Sequence, residues 1–409
     1  MVFGLSDMDD ILGQAIDLRT RALAVDLEPA LVPSRHWQGV LSRFHHAAFS
    51  TVTNASELVR YATAHNGFVI YRKTDSDQAW PVLAYYLAWL EVHGRGLSSL
   101  PAGLEESPHA SLDTVFQHQG RRISASFLWH LCAATRLLEN LPPPASVLEI
   151  GPGFGGLARV LRGLAPASRF VLVDLPDSLA FAYVYLRLHF PEARVVFVTS
   201  PSESIVELRR EADFLLLPSN LLSLLHGEHF DLAINIASWG EMTQTGVNRY
   251  LGFLEQEADI GYLYSINQYG QHPTERAEGR GRRLLGADIC HCALPIGPNW
   301  RLLHWDFWGE DSFVHADPLM APCLEVLLRR ANEEERTTEA HAALARQRLE
   351  EAARQPTGSL SWHRALWDAA RLDPGGAGAD LFAHWAAEQG YPESRLPHHH
   401  TSTYSERFP

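Results

Sequence analysis

Apolar side chains recur at three- and four-residue intervals through most of residues 1–140. DDILGQAIDLRTRALAV, ASELVRYATA, WPVLAYYLAWLEV and SASFLWHLCAATRLLENL each gather them on one helical face, which predicts a mostly helical stretch. Asn54 and Asp113 stand where helix caps are expected, and Pro33, Pro81 and Pro101 punctuate the stretch. The last helix must stop at Pro142, Pro143 and Pro144, because consecutive prolines cannot continue it. From Ser146 the pattern changes to short continuous apolar runs: SVLEI, RFVLVDL, ARVVFV, DFLLLP, FDLAINIA, IGYLYSIN and WRLLHWDFW. Helical stretches such as GGLARVLRGL, SLAFAYVYLRLHF and TGVNRYLGFLEQ separate them. Alternation of this kind predicts an α/β fold with a doubly wound, mostly parallel sheet covered on both faces. After about residue 328 the pattern is helical again, in ANEEERTTEAHAALARQRLEEAARQ, SWHRALWDAARL and ADLFAHWAAEQ. The expected organisation is an N-terminal helical domain over 1–141, the α/β domain over 146–328 and a C-terminal helical extension over 329–409.

Composition narrows the function classes. The chain has 409 residues, 46% hydrophobic and 20% charged, which suits globular domains with their own cores. Its 34 basic and 48 acidic residues give a net charge of −14, so phosphate backbones and anionic membranes are repelled and nucleic acid is not an expected partner. Arginine dominates the basic residues, as in a GC-rich, bacterial genome. No run reaches ~18 uninterrupted apolar residues, so no membrane span is expected. The first residues carry acids where a signal peptide carries bases, which points to a cytoplasmic protein. Four cysteines make no disulfide framework. Cys290 and Cys292 flank His291, but without a second ligand pair nearby they read as small side chains on a strand rather than a metal hairpin. No ligand role is expected for His398, His399 and His400 near the end of the chain.

The candidate chemistry centres on SVLEIGPGFGGLARVL, where a strand runs into Gly151, Gly153, Gly155 and Gly156 and a helix follows. Glycines let the backbone turn and approach a ligand, and the helix start presents N–H groups to an anion. Gly151, Gly153 and Gly156 satisfy the G-x-G-x-x-G pattern of nicotinamide-dinucleotide sites, so that ligand has to be weighed. Glu149 argues against it, because a carboxylate beside a pyrophosphate is repelled whereas one beside an ammonium or sulfonium fits. Asp174 ends the next strand, where a carboxylate can hold both hydroxyls of a ribose; a plain helix-capping role is its structural alternative.

These features, continued through VDLPDSL, VVFVTS, DFLLLPSN, FDLAINIASWGEM and LYSIN, resemble class I S-adenosylmethionine-dependent methyltransferases, with their Rossmann-like fold. More narrowly, residues 146–270 resemble the family of sugar O-methyltransferases of polysaccharide and glycoside biosynthesis. The resemblance implies that Glu149, Gly151, Pro152, Gly153, Phe154 and Gly155 line the methionine half of the cofactor, with its carboxylate near the helix start. It implies that Asp174 holds the ribose, and that Leu175 flanks the adenine. Thr199 closes the third strand where many relatives have an acid, so the adenine wall is expected instead from Leu217, Ser219 and Asn220. Asn235, Ile236 and Ala237 would face the methionine ammonium. Phe154 and Leu175 are equally compatible with core positions.

Methyl transfer is an in-line displacement, so the enzyme must align the acceptor and help remove its hydroxyl proton. Glu241, on the loop after FDLAINIA, is the expected base, and His272 is the second candidate. Capping the following helix is the alternative role for Glu241. Ser238 and Asn267 are expected to hydrogen-bond the acceptor or the base. A divalent metal held by Glu241 with neighbours such as Asp306 is a further route. Trp37, Tyr85, Tyr86, Trp89 and Trp129 make the N-terminal helices aromatic, and these helices are expected to shape the acceptor pocket and to offer a homodimer surface. The leading expectation is methylation of a sugar or glycoside hydroxyl on a small-molecule or oligosaccharide acceptor. A phenolic or polyketide O-methyltransferase, a methyltransferase-like binding subunit without turnover, and a nicotinamide oxidoreductase are the competing readings.

Overall fold

Helices dominate the N-terminal stretch of the computed structural model, which describes residues 5–64, 76–268, 296–307, 323–356 and 359–381. They are α1 (Leu5–Leu23), α2 (Arg35–Val40), α3 (His46–Thr51), α4 (Ala55–Ala62), α5 (Ser76–Val92) and α6 (Ala125–Asn140). Asn54 caps α4 as expected, its Oδ1 accepting from the Glu57 N–H at 2.9 Å. Asp113 caps nothing; it lies in a turn, and Ser124 is the residue that caps the next helix, its Oγ accepting from the Phe127 N–H. Between them sits a hairpin that helical periodicity does not reveal. Its strands β1 (Phe116–His118) and β2 (Arg121–Ile123) are joined by Gln119 and Gly120, both with positive φ. α6 ends at Asn140, just before the prolines.

The chain forms two compact units, Met1–Pro33 with Trp37–Ile234, and Ser34–His36 with Asn235–Pro409. In the first, a parallel sheet is built from β3 (Ser146–Ile150), β4 (Arg169–Asp174), β5 (Val195–Phe197), β6 (Phe214–Pro218) and β7 (His229–Ile236). Its order is β5-β6-β4-β3-β7. The helices between strands are α7 (Gly156–Leu164), α8 (Pro176–His189) and α9 (Ile205–Glu211). β6 therefore takes the place beside β4, and β5, which ends before Thr199, lies at the edge. α8 is buried without interruption from Pro176 to Leu186, as its apolar circumference requires, because α1 and α4 cover it. Arg19 of α1 donates through Nε to Asp177 Oδ1 at 2.7 Å and fixes α1 to the first turn of α8.

The second unit contains α10 (Gln244–Gly252), β8 (Asp259–Gln268), β9 (Trp300–Phe307), β10 (Cys323–Arg330), α11 (Thr338–Ala353) and α12 (Leu360–Leu372). β10 pairs antiparallel with both β8 and β9, with an irregularity between Leu327 and Leu328. CLEVLLRR is thus a strand, which the sequence pattern does not announce, because so short an apolar run suits helix and strand alike. α12 buries Trp367 completely, and its Arg371 donates to the carbonyls of Gly297 and Trp300. Among the described residues no helix is long and apolar enough to cross a membrane.

Candidate functional site

The turn after β3 is built from backbone that only glycine adopts freely. Gly151, Gly153 and Gly155 have φ of 74°, 56° and 85°, and Gly155 is the N-cap of α7. The Gly151 N–H bonds the Val173 carbonyl at 2.8 Å, and the Gly155 N–H closes back on Pro152 O at 2.9 Å. Asp174 holds the loop from the neighbouring strand, with Oδ2 accepting from the Gly153 N–H at 3.1 Å and Oδ1 from the Leu175 N–H at 2.7 Å. Each carboxylate oxygen has a second lone-pair site, so Asp174 can clamp the loop and still accept from a ribose.

Glu149 is buried at the end of β3, and its Oε2 has no hydrogen-bond partner among the described residues. Burial, reinforced by the charge of Asp174, pushes its carboxyl up to about 8. Burial also raises Asp174, against the pull of its two backbone N–H donors. Two buried carboxyls that stay protonated until a cation arrives make the glycine loop a receptor for a cation.

Phe154 is buried, with its ring 4.9 Å from that of Tyr185 at 86°, so it packs in the core of the unit. Leu175 is half-buried as the N-cap residue of α8. After β6, Leu217 and Ser219 are buried, and Ser219 Oγ and Asn220 Oδ1 have no partner among the described residues. The Asn220 amide is committed, donating to the carbonyls of Ala22 and Val25 at the end of α1. What remains there is one hydroxyl and one carbonyl oxygen.

In the second unit, Asn235, Ser238, Asn267 and Ser265 form one buried network. Asn235 Nδ2 donates to Ser238 Oγ at 2.5 Å, Asn267 Nδ2 donates to Asn235 Oδ1 at 2.9 Å and to Ser265 Oγ at 2.8 Å, and the Trp239 N–H bonds Asn267 Oδ1 at 3.0 Å. The structure thus places Ser238 and Asn267 on one another, where they fix the loop that follows β7. Ala237 within it has a φ of 53°, and its N–H bonds Ile266 O at 2.8 Å, while Ile236 is half-buried. Glu241 ends a short 3-10 turn, Trp239–Glu241, and its carbonyl accepts from Ser34 Oγ at 2.7 Å. The turn and the Ser34 bond hold its backbone in place.

His272 lies outside the described residues, as do Cys290, His291, Cys292 and the late histidines. Among the described residues no group of histidine, cysteine and carboxylate side chains is arranged to hold a metal. One neighbour of the loop is missing from the sequence expectations. His130 of α6 packs against Gly156, so closely that a Cβ there would lie 2.7 Å from its Nδ1. Burial, and then the charge of Arg159, lowers its imidazole to about 4. Only the glycine beside it hints at the contact, and that glycine reads as part of the motif.

No family model matches the chain, and no curated protein matches it in sequence. Solved structures match about half of it. Magnesium protoporphyrin IX methyltransferase from Synechocystis PCC 6803 with bound SAH is 10% identical over 50% of this chain and 83% of its own, with a TM-score of 0.34. The pyocyanin biosynthetic protein PhzM is 14% identical over 51% of this chain and 57% of its own, with a TM-score of 0.33. A protein described for conversion of a disulfide bond into a thioacetal group during echinomycin biosynthesis is 15% identical over 52% of this chain and 85% of its own, with a TM-score of 0.31.

Proposed function

We propose that this chain is an S-adenosylmethionine-dependent methyltransferase of class I, and that it methylates a hydroxyl of a sugar or glycoside. The observation that supports it most is the buried, unpartnered Glu149 oxygen beside a left-handed glycine loop clamped by Asp174. A nicotinamide dinucleotide would bring a diphosphate to two carboxyls, whereas an ammonium and a sulfonium would relieve them. When bound, S-adenosylmethionine supplies a methyl group already activated for displacement.

The residues divide the work. The first N–H groups of α7, which have no partner within the helix, receive the amino-acid carboxylate. Asp174 accepts from the ribose hydroxyls, and Asn220 Oδ1 and Ser219 Oγ suit an exocyclic amine and a ring nitrogen of adenine. Asn235 and Asn267 hold the loop of Ala237 and Glu241 in one conformation, and Glu241 takes the acceptor proton. His272 is the alternative base. The sugar assignment rests on the resemblance of the FDLAINIASWGEM and LYSIN segments to the sugar O-methyltransferase family.

Calorimetry with S-adenosylhomocysteine and with NAD tests the cofactor: the first should bind and the second should not. Methyl transfer from labelled cofactor to a panel of nucleotide sugars and glycosides, set against phenols, then tests the acceptor. Glu241→Gln should lower kcat by at least 100-fold with little change in cofactor affinity. Near-wild-type turnover at every pH would pass the role of base to His272.

A further inference from the structure

Glu149 and Asp174 account for a cation in the glycine cradle, but nothing assigned so far reads the charge at its other end except backbone. The loop that begins at Glu149 ends where α7 starts, and His130 stands at that point. Gly156 has no unusual φ; its missing side chain is what lets the imidazole lie against the backbone, with Phe154 edge-on at 6.1 Å and Trp129 stacked at 5.8 Å. Neither nitrogen of His130 has a hydrogen-bond partner among the described residues, and the ring is only half-buried. A ring held in place by two aromatic neighbours, with both nitrogens unused beside a helix start, can meet an anion that the same N–H groups attract. The cradle therefore has the Glu149 carboxyl at one end of its loop and an imidazole with unused ring nitrogens at the other. That is the pattern of an α-amino-acid zwitterion.

From this arrangement we infer that His130 is a positioning residue that hydrogen-bonds the α-carboxylate of an amino-acid-bearing nucleoside held in the glycine cradle. The inference rests on the cofactor reading above and adds a side chain to it. The only chemical change is a proton transfer: a buffer acid gives up a proton, which joins the imidazole nitrogen as the carboxylate arrives. Burial and Arg159 keep the empty ring neutral down to about pH 4, and a neighbouring anion favours the charged form, so binding takes up a proton in mildly acidic solution.

The test uses two nucleosides that differ in the amino-acid end. S-adenosylhomocysteine has the zwitterion, and 5′-methylthioadenosine lacks it. Titrations of the full chain at pH 6, in buffers of different ionisation enthalpy, give affinity and proton uptake together. His130→Ala should weaken S-adenosylhomocysteine by roughly 10-fold and abolish its share of the proton uptake, while 5′-methylthioadenosine changes by less than about 2-fold. His130→Gln, which keeps a donor, should recover part of the affinity and none of the proton uptake. Equal losses for both nucleosides, or unchanged S-adenosylhomocysteine binding in both variants, would overturn the inference. A wild-type chain that binds neither nucleoside would sink the cofactor reading itself, a separate result from a wild type that binds both while the variants behave alike.

Discussion

Gly151, Gly153 and Gly155 share the left-handed region with Ala237, at φ of 74°, 56°, 85° and 53°, but only the glycines occupy it without a Cβ to crowd the carbonyl. Ala237 is strained by about 1 kcal/mol, and the Asn235–Asn267 network is what holds it there. The two residue types should therefore respond in opposite directions. Gly153→Ala should destabilise by about 1 kcal/mol and weaken the N–H bond to Asp174, whereas Ala237→Gly should stabilise by about as much. Urea midpoints of the two variants measure both, and a shared sign would mean that one of the loops is not left-handed in solution. The difference also marks what sequence can show. A glycine at a turn advertises its conformation, so the cradle is legible from SVLEIGPGFGG alone. Ala237 advertises nothing, and His130 meets Gly156 across a contact that no local spacing records.

Among elements, the same limit appears as spatial order. Each strand from β3 to β7 is readable as an apolar run, but chain order cannot say that β6 slips between β5 and β4. That placement takes Thr199 to the edge, where its N–H is bonded by Glu203, and brings Pro218 opposite Asp174. Helical spacing in α1 and the long apolar run of α8 likewise identify the two helices without saying that they pack together. Two polar contacts link them: Tyr183 Oη donates to Gln14 Oε1 at 2.8 Å, and Arg19 pairs with Asp177, nearly enclosed, with the guanidinium 4.9 Å from the Phe49 ring. Removing one partner of such a pair leaves a buried charge. Arg19→Met should cost about 3 kcal/mol, and adding Asp177→Asn should recover most of it, because the charge that suffered is then gone. Chemical denaturation of the two variants decides this; a double variant no more stable than the single one would locate the cost in lost packing on Phe49 instead. In the second unit the equivalent device is polar. Asn267→Leu would leave the Trp239 N–H only its 3.3 Å bond to Asn235 Oδ1 and take from Asn235 the donor on that oxygen, for a loss of about 2 kcal/mol, and turnover should fall with it because Glu241 shares that loop.

For the whole molecule these buried groups set how stability follows pH. His45 and His130 are held neutral, each lowered to about 4, largely by burial. Between about pH 4 and 6.5 the unfolded chain binds protons that these folded histidines refuse, so they add stability as pH rises through that window. Glu149 acts in the other sense. Its folded carboxyl, raised to about 8, keeps a proton that the unfolded chain has lost above the usual carboxylate range, so its contribution falls as pH rises toward 8. Below pH 6.5 the two kinds of group oppose each other, and above it the carboxyls act alone. The empty protein should therefore lose on the order of 2 kcal/mol between pH 6.5 and 8, visible as a Tm lower by several degrees. Glu149→Gln should flatten that limb and melt higher than the wild type at pH 8. S-adenosylmethionine should do the same without mutation, since its ammonium and sulfonium favour the ionised carboxyls, and its stabilising effect at a fixed concentration should grow from pH 6.5 to 8 as Kd falls. Thermal melts of the wild type and of Glu149→Gln at both pH values, each with and without the nucleoside, separate these effects. A wild-type melt that is level across that range would show Glu149 already ionised in the fold, and the cradle would then have no proton for a cationic ligand to displace.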